Sequence, residues 1–213
     1  MLTQIGRGEI DSRRLRYDRQ VPSLIAVDVA LLPPEPLVRQ ALAINAALAA
    51  SESQELRFDA THLPHITLTQ QFIDRGDLPR IEAALAAIIG TRQPLALDVT
   101  GAGRGGRSVW ISIQRTAGLD DLHASLMDAL HRFERTGGSA SAFAEGDARP
   151  GDVAWVAGFR RSAAYRRFRP HITVGQASQL PVVTPMSFVA DTIALCQLGR
   201  FCTCRTILRT WTL

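Results

Sequence analysis

The hydrophobic pattern opens with strand-like alternation from Ser23 to about Ala30, and the prolines Pro33, Pro34 and Pro36 then separate that stretch from a helix. In this helix Leu37, Val38, Leu42, Ile44 and Leu48 fall roughly on one face. A second helix is predicted from Asp77, placed as its N-cap, with Leu78, Ile81, Leu85 and Ile88 on one side. Two short strands follow, Leu95 to Thr100 and Ser108 to Ile113, joined by a flexible glycine-rich turn. From Leu119 the residues Leu122, Leu126, Leu130 and Phe133 recur at three- and four-residue steps, which predicts a third helix ending before Gly137. Residues 136 to 150 are rich in Gly, Ser and Ala and read as a surface loop or partly ordered insertion. A helix beginning near Asp152 would bury Trp155 and Phe159. A basic loop, a strand from His171 and two C-terminal strands, Phe188 to Leu195 and Arg205 to Leu213, complete the pattern. Strands and helices thus interleave in two comparable runs, the pattern of an α+β fold with internal duplication.

At 213 residues the chain is long for one domain and short for two, so one bilobal domain over residues 21 to 213 is expected. Residues 1 to 20 are polar, arginine-rich and aperiodic, and read as a mobile basic arm. The longest apolar stretches, Ser23 to Leu32 and Ala41 to Ala50, are interrupted by Asp28 or too short and alanine-rich to cross a bilayer, which takes about 20 residues. No secretory signal is evident either, so the expected location is cytoplasmic, the expected state monomeric, and no membrane partner is foreseen. Three cysteines, Cys196, Cys202 and Cys204, form neither a disulfide framework nor a complete zinc set and read as reduced thiols, the last two as strand neighbours. The net charge of +4 is carried entirely by arginine against acid, with no lysine, which favours anionic partners such as phosphate esters or RNA without naming one.

Chemistry enters with a repeat. Pro64-His65-Ile66-Thr67-Leu68 returns in the second half as Pro170-His171-Ile172-Thr173-Val174, although the chain has only five histidines. On a strand, the period of two puts His and Thr on one face and the aliphatic residues on the other. The preceding proline holds its neighbour, Leu63 or Arg169, extended. Opening a cyclic phosphodiester needs one group to take a proton from water and another to give one to the departing oxygen. Imidazole, with an ordinary pKa of about 6.5, serves either role near neutrality. A threonine hydroxyl two residues on can hydrogen-bond a phosphoryl oxygen as charge builds there.

The paired motifs resemble the signature of the 2H phosphoesterases, and more closely the 2′-5′ RNA ligase-like or RNA 2′,3′-cyclic phosphodiesterase branch. Their contexts fit as well: Gln70-Gln71-Phe72 after the first, Tyr165 and Phe168 before the second with Gly175 after it, and Leu198-Gly199 with Cys204-Arg205 near the C-terminus. The resemblance covers roughly residues 21 to 213. It implies a bilobal fold with antiparallel sheets lining a central cleft and helices outside, and catalysis by His65, Thr67, His171 and Thr173 without metal or other cofactor. It also implies hydrolysis of 2′,3′-cyclic phosphates on RNA ends or nucleotides, with 2′-5′ RNA ligation as a further activity. Some members carry an arginine shortly after the second motif; this chain has Gln176, Ala177 and Ser178, so phosphate neutralisation must come from elsewhere.

Arg160, Arg161, Arg166, Arg167 and Arg169 crowd the approach to His171, interleaved with Tyr165 and Phe168. Arg167, Arg169, Tyr165 and Phe168 are the expected substrate-binding residues, arginines for phosphates and rings for bases; a solvated helix end is the bland alternative. Gly101 to Gly106 formally matches GxGxxG, but no helix follows it, which excludes a dinucleotide site. His62 lacks a metal-ligand set, and His123 and His131 flank the buried face of a helix. Two rival readings stand beside the leading one: an RNA-binding module without turnover, and an esterase of a small non-RNA cyclic phosphate.

Overall fold

The computed structural model describes residues 23–51, 56–59 and 61–213. The N-terminal arm foreseen for residues 1 to 20 lies outside the described residues. Among the described residues eight strands and four α-helices follow one another as β1 Leu24–Leu32, α1 Glu35–Ser51, β2 Ile66–Asp74, α2 Leu78–Ile89, β3 Leu95–Gly105, β4 Ser108–Ile113, α3 Ala117–Leu130, α4 Pro150–Ala163, β5 His171–Gln176, β6 Met186–Ala190, β7 Thr192–Leu198 and β8 Cys204–Thr212. They build two four-stranded antiparallel sheets, β2-β1-β7-β8 and β5-β4-β3-β6, so each half-motif sits on an edge strand of its own sheet. The two edge strands β2 and β5 lie against each other. Among the described residues no helix is long and apolar enough to cross a membrane.

One core joins both sheets to the helices. Ile25, Val27, Val29 and Leu31 from β1, Ile66 and Leu68 from β2, Ile111 from β4 and Ile172 and Val174 from β5 pack with Leu37, Ala41, Ile44 and Leu48 of α1, Ile81 and Leu85 of α2, and Leu122 and Leu126 of α3. The α1 face is therefore narrower than its sequence pattern foresaw, and Leu42 points to solvent. Strand β1 is buried on both faces. Its alternation is one of size rather than polarity: large aliphatics face the core, while Ala26, Asp28 and Ala30 face the other way.

Several boundaries differ from expectation, each for a local reason. Asp77 precedes α2 but caps nothing; its carboxylate instead takes Arg80 at 2.9 Å and Arg135 at 2.6 Å. Helix α3 starts earlier than Leu119 because the Thr116 hydroxyl accepts the Leu119 N–H at 3.2 Å. Helix α4 starts at Pro150, which turns Val156 and Phe159 inward and leaves Trp155 45% exposed. The stretch Phe188 to Leu195 is two strands, because Asp191 breaks it and the chain passes there from one sheet to the other. Residues 136 to 150 are not a loose insertion: Ala142, Phe143 and Ala148 form a second core with Ala26, Phe72, Val156 and Leu198. Phe143 meets Phe72 edge to face at 6.0 Å.

The glycine-rich segment is mostly strand. β3 continues through Gly105, and the turn is confined to Gly106 and Arg107. A Cβ on Gly103 would stand 2.2 Å from Trp110 Nε1, and one on Gly105 3.1 Å from the same ring, so these glycines are the bed on which Trp110 lies.

Candidate active site

The two histidines are held alike. His65 Nδ1 donates to the carbonyl of Leu63 at 2.9 Å, and His171 Nδ1 donates to the carbonyl of Arg169 at 2.6 Å. A carbonyl can only accept, so each ring carries its proton on Nδ1 and leaves Nε2 for chemistry. The proline between carbonyl and histidine keeps that backbone extended and the bond within reach. Both rings are partly exposed, His65 with 13% of its side chain accessible.

Their surroundings differ. Asp28, wholly buried on β1, stands 3.5 Å from His65 Nε2 through Oδ2. The same oxygen accepts from Thr67 Oγ1 at 2.8 Å and from Gln70 Nε2 at 2.8 Å. Burial alone would depress the His65 pKa, but the Asp28 carboxylate overrides it and, with the Leu63 carbonyl, raises it above the ordinary value. Among the described residues no carboxylate stands behind His171. Its ring lies 4.7 Å from the Trp110 ring, tilted by 39°. Burial lowers its pKa, the Arg169 carbonyl opposes that, and the charge of His65 lowers it further.

Thr67 and Thr173 are both partly exposed on their strands. The Thr67 proton is committed to Asp28, whereas among the described residues no acceptor holds the Thr173 hydroxyl. Asn45 ties α1 to the second motif: its side-chain amide donates to the carbonyls of Val174 at 2.8 Å and Leu56 at 3.1 Å, and accepts from Phe58 N–H at 3.0 Å.

The basic segment before β5 is spent largely on structure. Phe168 is buried and stacks on His123, centroids 4.0 Å apart and planes within 2°, so it offers no face to a base. His123 is itself fully engaged: Nδ1 donates to the Leu68 carbonyl at 2.7 Å and Nε2 accepts from Tyr165 N–H at 2.8 Å. The Tyr165 hydroxyl donates to Asp128 at 2.7 Å and accepts from Arg160 at 2.9 Å. Arg167 binds the Arg161 carbonyl, and Arg160 reaches Glu134 at 2.6 Å. Arg169 is exposed two residues before His171 and is the arginine nearest to it in sequence.

In the sequence Asp28 reads only as an interruption of an apolar stretch and not as a site residue, although a lone charge within an apolar strand is a signal, since burying it unpaired costs several kcal/mol or more. Cys202 belongs to a short 3-10 turn, Arg200–Cys202, and only Cys204 lies on β8, so the two are not strand neighbours. Cys204, Asp28 and His65 bring donor atoms within 4.8 Å of one another. With Asp28 Oδ2 already taking two hydrogen bonds, this trio is an acid–imidazole pair with a buried thiol beside it. His62 lies within 3.1 Å of Asp59 and 2.9 Å of Arg205, on the wall of a cavity of about 330 Å³ also lined by Arg57, Arg200, Phe201, Glu145 and Asp147. His131 is exposed.

The sequence profile of the 2′-5′ RNA ligase superfamily matches residues 33–195. The chain belongs to that superfamily, the 2H phosphoesterases. Membership makes it a phosphoesterase or ligase in kind. Among solved structures, TT0787 of Thermus thermophilus is similar at 17% identity and a TM-score of 0.62, over 89% of this chain and 98% of that one. E. coli LigT complexed with ATP gives 19% identity and 0.55 over 89% and 98%, and LigT complexed with 3′-AMP gives 21% and 0.55 over 90% and 99%. These likenesses bear on the α+β fold, which agrees with the duplicated two-sheet architecture expected from the sequence. No curated protein matches the sequence.

Proposed function

We propose that this 2H phosphoesterase opens 2′,3′-cyclic phosphates of RNA ends or nucleotides with water, and that attack by the 5′-hydroxyl of a second strand in place of water, with the 3′-oxygen leaving, gives it 2′-5′ RNA ligase activity. The observation that carries this reading is the pair of imidazoles locked in one tautomer, one favouring its charged form and the other its neutral form. His171 is the base that takes a proton from water as its oxygen bonds to phosphorus. His65 is the acid that gives a proton to the ribose oxygen as the P–O bond breaks. Thr173 donates to a non-bridging oxygen, and Arg169 is left to meet a phosphate of the strand. The nucleotides held by E. coli LigT, ATP and 3′-AMP, support a nucleotide-sized substrate.

The test is turnover of a 2′,3′-cyclic nucleotide in chelator. His65→Ala and His171→Ala are each expected to lose about 10²- to 10⁴-fold. Full activity in either variant refutes the reading, and loss of activity on chelation moves the chemistry to a metal. The rate should rise as His171 loses its proton below about 6.5 and fall as His65 loses its own above that value. RNA binding without product at any pH would favour a non-catalytic module instead.

A further inference from the structure

We propose that Asp28 is a positioning residue that breaks the symmetry of the two motifs, holding the Thr67 hydroxyl and setting His65 apart from His171 as the proton donor. This rests on the phosphodiesterase reading for its catalytic consequence, but not for its physical basis.

The register places Asp28 of β1 opposite Gln70 of β2 and Ala30 opposite Thr67. In the second sheet Trp110 stands opposite Thr173 and Ser112 opposite His171. A carboxylate therefore backs one motif and an indole the other. A threonine hydroxyl has one proton. That of Thr67 goes to Asp28 Oδ2, so Thr67 turns lone pairs, not a proton, to its remaining neighbours. Gln70 Nε2 shows the same thing from the other side: it donates to Asp28 at 2.8 Å and approaches Thr67 Oγ1 at 3.4 Å. Oδ1 of the carboxylate has no hydrogen-bond donor among the described residues. Buried and short of donors, Asp28 is left to the nearest group able to become a cation, His65.

The other groups facing His65 do not explain the difference. Cys196 comes from β7, Cys204 from β8 and His171 from β5. Burial holds the Cys204 thiol well above its usual range, which keeps it neutral, and a second histidine opposes charge on the first. Asp28 is the carboxylate in this set.

Asp28→Asn keeps the shape and an acceptor for Thr67 while removing the charge. NMR titration of the ring protons should place His65 above His171 in the wild type. In Asp28→Asn, His65 should fall by about 1 to 3 pH units while His171 stays near its wild-type position. With a cyclic nucleotide as substrate, the alkaline limb of the rate profile should move down with His65, lowering kcat at neutral pH more than it changes KM. A folded Asp28→Asn protein with an unmoved His65 overturns the proposal. Should that variant not fold, the wild type alone decides, because His65 titrating at or below His171 overturns it equally. Absence of turnover by the wild type, with the titration order as expected, would defeat the phosphodiesterase reading and leave the assignment of Asp28 standing.

Discussion

The first and second halves of the site share a sequence and a hydrogen bond but not an environment. Both present Pro-His-Ile-Thr on an edge strand with Nδ1 tied to the carbonyl two residues back. Around His65 the wall is a buried carboxylate with small side chains; around His171 it is an indole lying on glycines. The lesson is that duplication supplies two equal imidazoles, and the strand next door makes them unequal. That inequality serves acid–base chemistry, since it raises the fraction of molecules in which one chosen imidazole is charged while the other is neutral at the same pH.

The comparison is sharpened most by the threonines. Thr173→Val should lower kcat by about 10²- to 10³-fold, as expected for loss of a donor to the developing charge. Thr67→Val should cost about tenfold or less, because its proton serves Asp28. Equal losses in steady-state kinetics would break the asymmetry. Next comes Gly103→Ala, whose Cβ would collide with Trp110 and should destabilise the fold by about 1 to 3 kcal/mol in denaturant unfolding. In a titration that variant should move His171 and spare His65.

The smallest effect is on stability against pH, and its direction follows from the two shifts. The folded pKa of His171 is lowered, so its stabilisation is present above about 6.5 and lost as pH falls below it. His65 has a raised folded pKa, and its contribution is present below about 6.5 and lost as pH rises through the folded value. His171→Asn should therefore flatten the acid side of a denaturation series, and His65→Asn the alkaline side. His123, also lowered by burial, keeps part of the acid dependence in either variant.

Features local to one element were legible in the sequence. The three- and four-residue spacing from Leu119 to Phe133 marks α3, and the repeated motif marks β2 and β5. Features made by register were not. Asp28 meets Thr67, 39 positions on, through the β1–β2 pairing, which no spacing announces. Helix phase is similarly fragile: Trp155 and Val156 exchange inside and outside on a single-residue shift. In residues 136 to 150 a loop composition conceals packing, because small residues permit contact. Gly138 lies so close to Phe72 that a Cβ would sit 2.4 Å from the ring. Phe168 looks like a stacking platform in sequence and is one, but for His123.

Asp191 alone separates β6 of one sheet from β7 of the other, and its carbonyl accepts the Leu213 N–H at 2.7 Å. One residue spans at most about 3.6 Å, so the two walls share a corner with almost no slack. At that corner β6 and β7 cannot drift apart without stretching the backbone or breaking the Leu213–Asp191 hydrogen bond, so movement of one sheet against the other there is limited to rotation about a single residue.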